Sequence, residues 1–213
     1  MKVTKLTSRQ QAIAPISAFT ALGDNHKLRA ALEAGLHAGL TINDIKEILV
    51  QLYAYLGFPR ALNALGTFMT LVNERKEQGI NDIAGSEASP LPAGRSLLEL
   101  GTSVQTYLIG VPAKGPVFDF APAIDTYLKE HLFGDIFGRD NLSYEDREIA
   151  TLGALAGLEG VEPQLMSHFN ISLNIGLTET QLRGVIVALE NSACPVVAQR
   201  ATSALEKVLA ASK

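Results

Sequence analysis

The chain has 213 residues and a mass of 22.7 kDa, with 47% hydrophobic and 19% charged residues. This composition excludes a disordered chain, which would be poor in apolar and rich in charged residues, and the length permits a sizeable core in one or two domains. Lys and Arg number 18 and Asp and Glu 22, a net charge of −4 with no basic cluster, so nucleic-acid binding has no electrostatic footprint.

The polar start MKVTKLTSRQ has no apolar leader region. No window holds the roughly 18 apolar residues of a membrane span. Cys194 is the sole cysteine, which excludes an internal disulfide, a CxxC pair and a cysteine-based zinc site. No HxxxH or HExxH spacing is present either, so no metal is expected. The expected compartment is the cytoplasm.

In chain order, the first element is a helix opened by Thr7 and Gln10 at capping-box spacing. A following helix ends near Gly39, as at a C-cap glycine. Thr41 and Asp44 then cap a helix whose apolar residues Ile45, Ile48, Leu49 and Leu52 fall at i, i+3, i+4 and i+7. Pro59 breaks the chain before a last helix with the stripe Leu62, Leu65, Met69 and Val72.

Residues 79–141 are rich in Pro and Gly but too apolar for a free linker. They predict a packed connector with a helix beginning near Pro122. The first pattern then returns. LSYEDREIATLGALAGL at Leu142 matches LTSRQQAIAPISAFTAL at Leu6, an offset of 136, and GLTETQLRGVIVAL at Gly176 matches GLTINDIKEILVQL at Gly39, an offset of 137. Ser143 with Asp146, and Thr178 with Gln181, repeat the capping spacing. Leu182, Val185, Ile186 and Leu189 repeat the apolar stripe, and Pro195 pairs with Pro59. The reading is all-α, with residues 1–78 and 142–213 as two copies of a helical repeat. No run alternates with period two.

Three clusters could carry chemistry. His168 and Glu148 border the core on neighbouring helices of the second copy, where a carboxylate and an imidazole can form an acid–base pair. A purely structural Glu–His hydrogen bond competes with that reading. YAYLGFPRALNA makes a sharp helix corner bearing Tyr53, Tyr55, Phe58 and Asn63, and the competing reading is aromatic packing at a tight turn. HLFGDIFGRDNLS places Arg139 beside aromatics, suited to a carboxylate clamp or to an ordinary surface ion pair. Cys194 reads as a buried inert thiol, or as one with a depressed pKa at a helix start.

The strings HLFGDIFGR, LSYEDREIATLGALAGL and EGVEPQLMSHFNISLNIGLTETQL, with GLTINDIKEILVQLYAYLGFPRALNA, resemble the carboxymuconolactone decarboxylase family. The resemblance covers both repeats and part of the connector. It implies an AhpD-like helical fold, a homo-oligomer, and a cofactor-free lyase acting on a lactone or related small carboxylate. His168 would be the general acid/base, Glu148 its orienting partner, Arg139 a carboxylate clamp, and Tyr53, Tyr55, Phe58 and Asn63 substrate-binding residues. AhpD-like alkylhydroperoxidases of the same superfamily use two thiols before the family histidine. Val161 and Gln164 stand at those positions here, and thiol–disulfide chemistry needs both sulfurs. Copy one has Ala12 and Ala31 where copy two has Glu148 and His168, so each copy keeps a different half of the family's features. This predicts one composite cleft built from both copies or from an adjoining subunit. A small-ligand-binding oligomer that has lost the chemistry is the non-catalytic alternative.

Overall fold

The computed structural model describes residues 5–192 and 194–211. Met1–Thr4 of the polar start, Ala193 of the NSACPVVAQRA string and the final two residues lie outside it. The described residues are helical, with no strand among them. The N-terminal part of the chain forms α1 (Ser8–Leu22), α2 (Asn25–His37) and α3 (Ile42–Glu77), and the C-terminal part forms α7 (Tyr144–Gly157), α8 (Glu162–Asn174), α9 (Glu179–Asn191) and α10 (Pro195–Ala211). Between them lie α4 (Leu97–Ile109), α5 (Pro116–Phe120), α6 (Pro122–Tyr127) and a π-helix (Leu128–Ile136).

Local chemistry sets these boundaries. Both arms of the capping box form at Thr7, Thr41 and Thr178. At Ser143 only one arm forms, with Ser143 Oγ accepting from Asp146 N. The Asp146 carboxylate is taken instead by Arg9 and Gln10. Chain α3 runs on through Pro59 but kinks at Gly57, whose φ of 74° and ψ of 163° are open to glycine and strained for other residues. The kink reorients the outer half of α3. Leu62 and Met69, expected in its buried stripe, are 61% and 62% exposed, and Ala61, Ala64, Phe68 and Leu71 face the core instead.

The N-terminal and C-terminal helices meet through α1 and α7. A Cβ on Gly153 of α7 would lie 2.5 Å from the Ala14 carbonyl oxygen, so glycine lets the two backbones touch. The remaining contacts come in matched pairs: α1 with α2 as α7 with α8, and α9 on α1 as α3 on α7. The main core runs across both sets of helices and includes Ile13, Leu28, Ile48, Leu52, Ile149, Phe169, Leu182 and Leu205.

The connector packs as expected, but with more helix than the single one starting near Pro122. Its Leu100, Val104, Leu108, Leu132, Phe133, Ile136 and Phe137 form a second apolar cluster with Ile171 of α8. Helix α4 lies directly on the π-helix. A Cβ on Gly101 would fall 1.6 Å from the Lys129 carbonyl oxygen. No helix among the described residues is long and apolar enough to cross a membrane.

Candidate functional site

The polar centre sits where α3 crosses α7. Helix α7 is buried along most of its length, polar residues included. Glu148 is fully buried and His168, one helix on, is 8% exposed. His168 Nδ1 and Glu148 Oε2 lie 2.7 Å apart. The ring is steadied from above by Tyr55, edge-on at 5.7 Å between centroids. Behind it, Ser172 Oγ donates to the His168 carbonyl at 2.7 Å.

Helix α3 supplies the other wall. Glu47, Gln51 and Tyr55 are spaced by four residues, which puts them on one face. Gln51 Nε2 donates to the Arg147 carbonyl and to Thr151 Oγ1, both at 2.9 Å, and its Oε1 accepts from Arg147 Nη1 at 3.0 Å. Glu47 accepts from Arg147 Nη2 at 2.8 Å, from Arg139 Nε at 2.9 Å and from Asn141 Nδ2 at 3.1 Å. Burial alone would raise the Glu47 carboxyl, but the hydrogen bonds from Arg139 and Arg147 outweigh it and hold its pKa below the ordinary carboxylate value. Burial pulls the Arg147 guanidinium down from its usual value, against the pull of Glu47. The ring of Phe137 packs against Arg147, 5.7 Å from centroid to guanidinium carbon.

Four buried polar atoms at this centre make no hydrogen bond of ordinary geometry: Glu148 Oε1, Tyr55 Oη, Arg147 Nε and Asn141 Oδ1. Buried polar atoms in folded proteins are nearly always paired. Burial, and then the nearby Glu148 charge, push the Tyr55 phenol well above its usual pKa. The hydroxyl therefore keeps its proton and is a donor. The unpaired carboxylate oxygen of Glu148 is an acceptor. Nδ1 of His168 is engaged, which leaves Nε2 as the ring's other proton-carrying position.

The structure thus brings together Glu148 of α7, His168 of α8 and Tyr55 of α3. It does not bring in the rest of the expected set. Arg139 commits its Nε to Glu47. Tyr53 stacks on Phe58 at 4.5 Å and meets His131 at 5.5 Å, a separate aromatic group. Phe58 is 62% exposed, and Asn63 is exposed on the outer half of α3. The Cys194 thiol is buried and pushed up by that burial, so the helix-start reading of a depressed pKa does not hold. Sequence reasoning passed over Glu47, Gln51, Arg147 and Thr151. Their signal was polar residues four apart on helices whose other inward positions are apolar.

Residues 1–68 match the sequence model of the carboxymuconolactone decarboxylase family. The match covers 68 of the chain's 213 residues. No curated protein matches the chain. Within the matched segment lie Glu47, Gln51, Tyr53, Tyr55, Phe58 and Asn63, whereas Glu148 and His168 lie beyond it. The matched segment therefore contributes the tyrosine side of the polar centre. Among the described residues no group of three His, Cys, Asp or Glu side chains is placed to hold a metal ion.

Proposed function

We propose that the chain is a cofactor-independent lyase of the carboxymuconolactone decarboxylase type, acting on a lactone or related small carboxylate. The observation that carries this reading is the buried Glu148–His168 pair at 2.7 Å, with Tyr55 Oη and Glu148 Oε1 unpaired beside it. In the proposed reaction the substrate's carbon–carboxylate bond breaks and CO2 leaves. The electron pair passes into the conjugated lactone carbonyl, whose oxygen becomes the developing oxyanion. Tyr55 donates a hydrogen bond to that oxygen. His168 delivers a proton from Nε2 to the carbon, and Glu148 holds the imidazole in orientation and stabilises its charged form. Arg139 is assigned a supporting place, because its bonds to Glu47 anchor the wall that carries Tyr55. The duplication is part of this reading: the two copies form one asymmetric site, with the acid–base pair on the second and the phenol on the first. Exposed Phe58, Leu62 and Met69 on the outer half of α3 favour a homo-oligomer.

An AhpD-like alkylhydroperoxidase cycle is disfavoured, since Val161 and Gln164 stand at the thiol positions and Cys194 has no second thiol in the chain. A non-catalytic, small-ligand-binding oligomer is favoured by one observation: the His168 ring is largely enclosed, and surface cavities of about 470 to 610 Å³ are lined by other residues.

The test is turnover of γ-carboxymuconolactone, followed by CO2 release, beside reduction of an organic hydroperoxide. Wild-type lactone turnover that falls roughly 10²- to 10⁴-fold in His168→Ala, with circular dichroism unchanged, supports the lyase. Equal turnover in wild type and a folded His168→Ala variant sinks it.

A further inference from the structure

A cavity of about 530 Å³ opens between α1, α2 and the end of α9. Six of the residues lining it are Gln11, Ala12, Pro15, Ala31, Ala188 and Ser192. Moved by the repeat offsets, 136 in the first helix of each copy and 137 beyond it, these become Arg147, Glu148, Thr151, His168, Gln51 and Tyr55. That set is the polar centre described above. The helix contacts agree, because α9 lies on α1 as α3 lies on α7. The cavity therefore occupies the matching place in the other half of the molecule. Its side chains have been cut back from Glu, His, Gln and Tyr to Ala, Ala, Ala and Ser. The surrounding core holds the helices apart, and the missing side-chain volume stays open.

The lining also has a chemical bias. Phe19, Pro15 and the alanines give an apolar floor. His26 and Lys27 stand in the wall with neutral Gln11, Asn191 and Ser192, and no carboxylate lines the cavity. The Lys27 ammonium sits 5.8 Å from the centre of the Phe19 ring, and its ion pair with Asp24 is long, at 3.9 Å. A cation held over an aromatic floor suits a ligand with a flat apolar body and an anionic end.

We propose that this cavity is a second ligand site, a disarmed twin of the Glu148–His168 centre, which binds a small aromatic or alicyclic carboxylate without transforming it. The proposal rests on the duplicated architecture proposed above and is independent of turnover at His168. Its volume fits a drug-sized or smaller ligand, since such sites span roughly 300–1,000 Å³.

The experiment is calorimetric titration of the full chain with 2-naphthoate and with its uncharged analogue 2-naphthamide. Saturable naphthoate binding is expected in wild type. Ala31→Leu, which refills the cavity, abolishes it. Lys27→Gln weakens it roughly fivefold, as loss of one partly exposed charge contact would. His168→Ala leaves it unchanged. Binding that survives Ala31→Leu but is lost in His168→Ala places the ligand at the other centre and overturns the proposal. Naphthamide binding as tight as naphthoate overturns its anionic selectivity. A change of oligomeric state in Ala31→Leu, read by sedimentation velocity, shows the groove to be a contact between copies of the chain and likewise overturns it. Absence of lactone turnover would sink the lyase reading and leave this binding result standing.

Discussion

Glu47 and Arg147 meet at 2.8 Å in a place where neither side chain is more than 3% exposed. One comes from α3 and the other from α7. The pair joins α3 to α7 beside the helix turn that carries Glu148, so the register of the two helices and the placement of the acid–base pair share one charged contact. A buried ion pair is weak evidence of net stability, because desolvation opposes the attraction. Its two ends are nonetheless unequal partners to lose.

Removing Glu47 alone leaves the Arg147 guanidinium buried and uncompensated. Glu47→Ala is expected to lower the unfolding free energy by about 3–5 kcal/mol, read from urea denaturation. The double replacement Glu47→Leu with Arg147→Met is expected to recover much of that loss. A loss below about 1 kcal/mol in the single variant would show that the contact does not hold α3 and α7 in register.

The same pair sets an acid limit. Hydrogen bonds from Arg139 and Arg147 overcome burial and hold the Glu47 carboxyl below its ordinary value of 4.5. A hydrogen bond from Arg75 likewise lowers Asp82 from its ordinary 3.8. A group with a depressed folded pKa binds its proton more readily in the unfolded chain. Its stabilisation is therefore complete above the ordinary value and is lost as pH falls through the folded value. Urea midpoints measured from about pH 6 down to about pH 3 are expected to fall most steeply below 4.5. In Glu47→Gln the fall is shallower. An identical pH profile in both proteins would remove Glu47 from the account.

These contacts mark the boundary of what the sequence discloses. The helices of both copies were legible because caps, C-terminal glycines and apolar spacing are local signals, and the boxes at Thr7, Thr41 and Thr178 formed as read. At Ser143 the local signal lost to a distant one, since Arg9 and Gln10 captured the Asp146 carboxylate. The outer half of α3 was misread because a backbone rotation at Gly57 shifted which side of the helix met the core. Helix α4 was missed for a similar reason: its fit depends on Gly101 admitting the Lys129 carbonyl, a long-range contact, whereas the helix expected from Pro122 onward is present but winds as a π-helix over Leu128–Ile136. In the polar centre, His168, Glu148 and Tyr55 were visible as chemistry-bearing types. Glu47, Gln51 and Arg147 were not, because polar residues on apolar helix faces declare a network only when the facing helix is known. Arg139 was legible as a cation, but its partner Glu47 was not.

The contact between α1 and α7 depends on an absent side chain. A Cβ at position 153 would lie 2.5 Å from the Ala14 carbonyl oxygen and 2.9 Å from its Cα, and both are backbone atoms. Gly153→Ala is expected to force α1 and α7 apart and destabilise the chain by about 1–3 kcal/mol, despite alanine's better helix propensity. Gly66, whose Cβ would meet nothing within 4 Å, is the control, and Gly66→Ala is expected to be neutral or stabilising. Equal effects at the two positions would contradict the close helix crossing.

Tyr55 offers the sharpest division between structure and chemistry. Its hydroxyl is buried, close to Glu148 and to the Thr151 hydroxyl, and makes no hydrogen bond of ordinary geometry. Deleting a buried hydroxyl without a well-formed hydrogen bond removes a desolvation penalty and little contact. Tyr55→Phe is therefore expected to leave stability unchanged or raise it by up to about 1 kcal/mol, because the ring and its packing on His168 remain. If the phenol donates to the developing oxyanion, lactone turnover falls roughly 10²-fold in the same variant, with the loss in kcat and little change in KM. A hydroxyl with a purely structural role predicts the reverse pattern, in which stability drops and turnover per folded molecule does not. Thermal melts and steady-state kinetics on one preparation of Tyr55→Phe separate the two, and a destabilised variant with wild-type kcat would reject Tyr55 as the oxyanion donor.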